Sequence, residues 1–161
     1  MIKTIDLWPE DIATKRVRAP ITILREQAAL LGQKTGNLVQ GDVTSNQHSS
    51  KDYFAYRFYI EAPTLDNYSY KLFSIYHHID FYPLEINTEQ DIVQEVSNEL
   101  KVGQDEAGEL TIFVEDEEEF IKALGLIFRA EKTMRVITAL LSQTDPEWNY
   151  SVETEEEEIP F

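Results

Sequence analysis

The chain contains no cysteine. That absence removes disulfides, thiolate nucleophiles and cysteine zinc sites together, and it suits a reducing cytosol. Nothing at the start, "MIKTIDLWPEDI", joins a basic segment to an apolar run, so no secretory signal is read there. Long apolar runs are missing too. The longest mostly apolar stretch, "FIKALGLIF", falls well short of the roughly 20 residues needed to cross a bilayer. The chain therefore reads as soluble and cytoplasmic. Cations are scarce, with 14 Lys and Arg against 30 Asp and Glu, a net charge of −16. Such a field repels phosphate backbones, because nucleic-acid affinity depends on cations displacing condensed counterions. Direct nucleic-acid binding is disfavoured, and a basic protein partner suits the field better. There is no G-x-S-x-G turn, no Gly-rich phosphate loop and no H-E-x-x-H helix, so nucleophilic and phosphate chemistry have no motif here.

What the chain does have is enough for one core: 161 residues, 42% of them apolar. Residues 1–148 read as a single globular α+β domain. It begins with an irregular arm over 1–19 that carries the basic cluster "KRVR" at 15–18. Ile21, Leu24, Ala28 and Leu31 recur at helical spacing after Pro20, predicting a helix over about 20–34 with Gly36 as its left-handed cap. From 37 to 86 the pattern changes to strands. In "YFAYRFYI" the even positions Phe54, Tyr56, Phe58 and Ile60 are apolar and should face the core. Pro83 belongs at an edge or strand end. "TEQD" predicts a second helix capped at Thr88, with Ile92, Val96 and Leu100 on its stripe. "GQDEAG" reads as a turn and "ELTIFVE" as a strand. Asp116 and Glu119 then open a helical third in which "RAEK" contains no breaker, leaving one helix or two over 116–143. The expectation is a mainly antiparallel sheet of four to five strands, with an N-terminal helix and a helical C-terminal third.

The only histidine cluster is "HHID". On an extended strand His78 and Asp80 share a face while His77 points away with Ile75 and Ile79. One His and one Asp are too few for zinc, although Glu85 or His48 could complete a set by folding; polar strand-edge residues are the plainer account. Eleven of the 18 aromatic residues fall between Tyr53 and Tyr82, seven of them tyrosines. Aromatic sheet faces can stack single-stranded nucleic acid, but a binding groove should be basic, and Lys51, Arg57 and Lys71 there face Asp52, Glu61, Asp66 and Asp80. Ordinary β packing accounts for them. "EDEEE" at 115–119 is accounted for by the helix dipole.

The sequence ends "SVETEEEEIPF". Residues 149–161 have no periodicity, and Glu153 and Glu155 to Glu158 repel one another, so this stretch reads as a disordered acidic tail. Pro160 stiffens the backbone between the apolar Ile159 and Phe161, and a carboxylate beside Phe161 adds a directional acceptor. A hydrophobic pocket rimmed by Arg or Lys would grip ring and carboxylate together. This ending resembles the C-terminal tip of bacterial single-stranded-DNA-binding proteins, an acidic run followed by Ile-Pro-Phe. The resemblance covers Glu155 to Phe161, with glutamates in place of the more usual aspartates, and stops there. It implies that Phe161 is the anchor, Pro160 and Ile159 its neighbours, and Glu155, Glu156, Glu157 and Glu158 the electrostatic contacts to genome-maintenance enzymes such as helicases and nucleases.

The leading expectation is a non-enzymatic adaptor or modulator in bacterial or phage DNA metabolism, without cofactor or metal, docking through this tail. Two others are an acidic inhibitor, immunity protein or DNA mimic acting through its body on a basic protein, and a small metal-dependent hydrolase built around His78 and Asp80.

Overall fold

Pro20 opens the first helix of the computed structural model, which describes residues 3–45 and 53–145. Helix α1 spans Pro20–Lys34 and buries Ile23, Leu24 and Ala28. Pro20 sits in its first turn, where a missing N–H costs nothing. Gly36 follows with φ +60 and ends the helix in left-handed backbone. The strands β1 (Gln40–Ser45), β2 (Phe54–Ala62), β3 (Tyr68–His77) and β4 (Leu84–Thr88) come next, then helix α2 (Gln90–Val96). The chain continues through β5 (Lys101–Gln104), β6 (Leu110–Val114), α3 (Glu117–Phe128) and α4 (Glu131–Thr144). All strand pairs are antiparallel, in the order β1-β2-β3-β4-β6-β5. No described helix is long and apolar enough to cross a membrane.

The fold is α+β, with six strands among the described residues where four to five were expected. The additional strand is β5, "KVGQ", which has no clean alternation and overlaps the predicted turn. It is a strand because β6 offers it a ladder, pairing Val102 with Ile112 and Gly103 with Thr111. Thr88 does not cap α2. It closes β4, and its hydroxyl donates to the Leu72 carbonyl at 2.7 Å, while Glu89 takes the N-cap position without a side-chain capping bond, its carboxylate accepting from the Tyr70 hydroxyl instead. At α3 the cap forms as the sequence implies, with Asp116 Oδ1 accepting from the Glu119 N–H at 2.8 Å. The helical third is two helices. Ala130 turns extended at φ −60, ψ 149 between them and is buried. The Thr133 hydroxyl donates at 2.6 Å to the Ile127 carbonyl, which also accepts from the Ala130 N–H at 3.2 Å, so the end of α3 is closed from both sides of the break.

The helices pack on one face of the sheet. Ile23 and Leu24 of α1, Ile92 and Val93 of α2, Phe120, Leu124 and Ile127 of α3 and Leu140 of α4 join Phe58, Phe73, Ile75, Ile86 and Ile112 in a single core. At its centre Phe58 and Phe73, paired across β2 and β3, stack at 5.2 Å, and Phe128 of α3 tilts against both at 5.4 and 6.1 Å. Helix α4 contributes least, burying only Thr133, Leu140 and Thr144. Polar ties supplement it: the Glu95 carboxylate accepts from the Glu131 N–H at 3.1 Å, and Lys132 Nζ lies 3.8 Å from Glu89.

Gly41 sets the spacing of α1. A Cβ there would sit 2.6 Å from Ala28 Cα and 3.0 Å from the Phe58 ring. Because one of those atoms is helix backbone, a methyl has nowhere to go without moving α1. Gly41→Ala is therefore expected to destabilise the domain by ~1–3 kcal/mol. The shift of the chemical-denaturation midpoint measures it, and Ala28→Gly in the same chain should recover only part of the loss, since Ala28 Cα remains.

Candidate functional site

Strand β3 ends at His77, and the histidine cluster divides there. His77 is 5% exposed, its ring 5.7 Å from Phe54, 5.8 Å from Tyr56 and edge-on to Phe81 at 5.6 Å. Its Nδ1 donates to the His78 carbonyl at 2.7 Å, while Nε2 is buried without a partner among the described residues. Burial lowers the His77 pKa, and the backbone bond only partly opposes it, so the ring is neutral at pH 7. His78, Ile79 and Asp80 lie exposed in the following turn, closed by Phe81 N–H to the His78 carbonyl at 3.0 Å. The expected strand face carrying both His78 and Asp80 does not exist, because the chain leaves the sheet one residue before His78. Glu85 sits on β4 opposite Tyr76. No three His, Asp or Glu among the described residues could hold a metal ion together. His48 lies outside the described residues.

The sheet's second face carries no described helix. Register places Asp42 and Thr44 of β1, Arg57, Tyr59 and Glu61 of β2, Lys71 and Tyr76 of β3 there, with Glu85, Phe113 and Lys101 beyond. Three bases thus share this face with three acids, and Lys101 is drawn further to Glu115 and Glu119, each at 3.9 Å. Aromatics are present, but a phosphate backbone would find no cationic surplus on this surface. Glu61 shows the local bias: burial raises its pKa, and the charge of Asp42 and a hydrogen bond to it add to the effect. Tyr82, near the start of α3, is pushed up to about 12 by burial and then by Glu117 and Asp116.

A concavity opens on the helical side. It is a groove of about 560 Å³ in which α1 supplies Ile23, Leu30 and Leu31, α3 supplies Ile121, Leu124 and Phe128, and α4 supplies Met134 and Ile137. Phe58 and Ile60 floor it, and Lys34 and Arg129 are the charged residues among its described lining. Neither is in an ion pair among the described residues. Leu30, Ile121 and Met134 are 41%, 49% and 46% exposed. Met134 and Ile137 recur at helical spacing, a pattern that suits a core-facing stripe as well as a groove wall. Their role as a groove wall depends on how far α4 leans from α1, which periodicity does not encode. An apolar groove lined by two cations has the chemistry of a ligand or peptide site.

The tail residues Glu155 to Phe161, on which the docking expectation rests, lie outside the described residues. No family model, no curated protein and no solved structure matches the chain.

The neutral His77 generates a pH prediction. Its folded pKa lies below the unfolded value of about 6.5, so the unfolded chain takes up the proton first. Stability tied to this ring is present above that value and is lost as pH falls toward the depressed folded pKa. His77→Phe fits the surrounding aromatic cage and should remove that loss. Thermal melts of both chains at pH 7 and 5 should show a smaller drop for the variant; equal drops would discard the assignment.

Proposed function

We propose that this protein is a non-enzymatic adaptor or modulator in bacterial or phage DNA metabolism, whose acidic Ile-Pro-Phe tail docks on a protein partner with a basic-rimmed hydrophobic pocket. The observation that carries this reading is the sequence Glu155 to Phe161, four carboxylates followed by two apolar anchors flanking a proline. The glutamates speed encounter with a basic rim, and Phe161 and Ile159 supply desolvated contact. The described surface is consistent with a protein rather than a nucleic-acid partner. The aromatic sheet face is charge-balanced, and the groove is apolar.

The test is affinity capture from a bacterial lysate with the full chain beside the Phe161→Ala chain, followed by titration of the captured proteins. Phe161→Ala should weaken tail partners by a hot-spot-sized ~2 kcal/mol, about thirtyfold. Binding should also weaken with salt. Partners that survive the substitution with all four glutamates in place would sink tail docking. A basic protein held equally by both chains would instead favour the body's carboxylates as the contact.

A further inference from the structure

Twelve large apolar side chains stand exposed among the described residues, and eight fall into two groups. Leu30, Ile121 and Met134 line the helical groove. Ile5, Leu7, Trp8, Ile12 and Val17 lie on the arm that precedes α1, with Leu7 87% and Trp8 72% exposed. We propose that the arm segment Ile5–Ile12 of one copy lies in the α1–α3–α4 groove of a second copy, and that the exchange is reciprocal.

Four observations support this pairing. The first is shape. The arm is not a featureless strand: Asp6 Oδ1 accepts from the Trp8 N–H at 3.0 Å, and a 3-10 turn at Ile12–Thr14 is bound by the Thr14 hydroxyl donating to the Asp11 carbonyl at 2.7 Å. Such local bonds hold Leu7, Trp8 and Ile12 outward at reduced cost in conformational entropy on binding. The second is length. The groove follows α1 from Ile23 to Lys34, about 16 Å at the helical rise, and eight residues bent by a turn fit that span.

The third is charge. Residues 5–12 carry Asp6, Glu10 and Asp11 and no cation, with Asp11 alone drawn to Lys15 at 3.8 Å, whereas the described groove lining carries Lys34 and Arg129 and no anion. Two copies at −16 each repel at long range, but a Debye length of about 8 Å in physiological salt leaves mainly local pairs to act at the contact. The fourth is area. Burying Trp8 alone removes about 150–250 Å². Two arms with four large apolar side chains each, plus the groove faces they cover, reach the about 1,200–2,000 Å² of specific interfaces. The arm's root is held at home: Arg18 pairs with Glu26 of α1 and lies 4.0 Å from Glu117 of α3. Only the segment beyond it needs to cross, as closed reciprocal exchange requires.

The test uses the chain's two tryptophans. With Trp148→Phe, Trp8 is the only one left. Its emission should move to shorter wavelength as protein concentration rises, in step with dimer formation in sedimentation equilibrium. Leu7→Asp on the arm and Met134→Asp in the groove, both at exposed positions that leave the core untouched, should each weaken dimerisation at least about tenfold. Complementation removes the remaining ambiguity. The Met134→Asp chain keeps an intact arm and the Leu7→Asp chain an intact groove, so mixing them should restore the emission shift that neither shows alone. A monomer with unchanged Trp8 emission at every concentration overturns the proposal. So does a shift independent of concentration, which would seat the arm in its own groove. Dimerisation that survives Leu7→Asp but is lost on Phe161→Ala would give the groove to the tail, and overturns it too. None of these results depends on whether lysate partners require Phe161, so this inference and tail docking fail separately.

Discussion

The contact between Ala28 of α1 and Gly41 of β1 sets the geometry on which the helical side depends. A missing Cβ lets the helix backbone come close enough to the strand that even one methyl would sit 2.6 Å from Ala28 Cα. With α1 drawn down at one end of the sheet, the rings of Phe58, Phe73 and Phe128 fill the centre. The space left between α1 and the α3–α4 pair becomes a groove floored by Phe58 and Ile60. The floor is made of core residues, so it cannot be altered without touching the packing that holds the domain together, whereas the exposed wall residues Leu30, Ile121 and Met134 can.

Charge works at a different scale. The total of −16 governs long-range behaviour, yet the surfaces that matter for recognition are set by a few local cations. The sheet's second face balances Arg57, Lys71 and Lys101 against Asp42, Glu61 and Glu85. The groove keeps Lys34 and Arg129 without ion-pair partners among the described residues. An overall acidic protein can therefore still present a site for acidic, apolar peptide chemistry.

Much of the architecture was legible where local chemistry decides. Pro20 and the apolar spacing after it marked α1, and Asp116 with Glu119 marked the start of α3, because these signals act within one helical turn. Alternation in β2 identified Phe58 and Ile60, though Phe54 at the strand end stays 36% exposed. The failures share a cause. β5 exists because β6 lies beside it, Thr88 is drawn into a bond with Leu72 rather than a cap, and Ala130 breaks the last helix because the core buries it. His78 and Asp80 were placed on one face by extending β3 past its real end at His77. The groove was the least legible feature. Its walls come from three helices whose relative tilt is a tertiary quantity, and Leu30 falls off the stripe of Ile21, Leu24, Ala28 and Leu31 by which spacing marked α1.

Helix α4 carries a further consequence. With one large apolar side chain buried and polar ties at its first turn, it belongs to the low end of the stability range within the domain. Sub-global opening should begin by releasing this helix while the sheet and α1 remain in place. The groove then has two rigid walls and one compliant wall, and a compliant wall tolerates occupants of different bulk. Selectivity at such a site comes from the cations Lys34 on α1 and Arg129 at the end of α3, and less from the shape of the cavity.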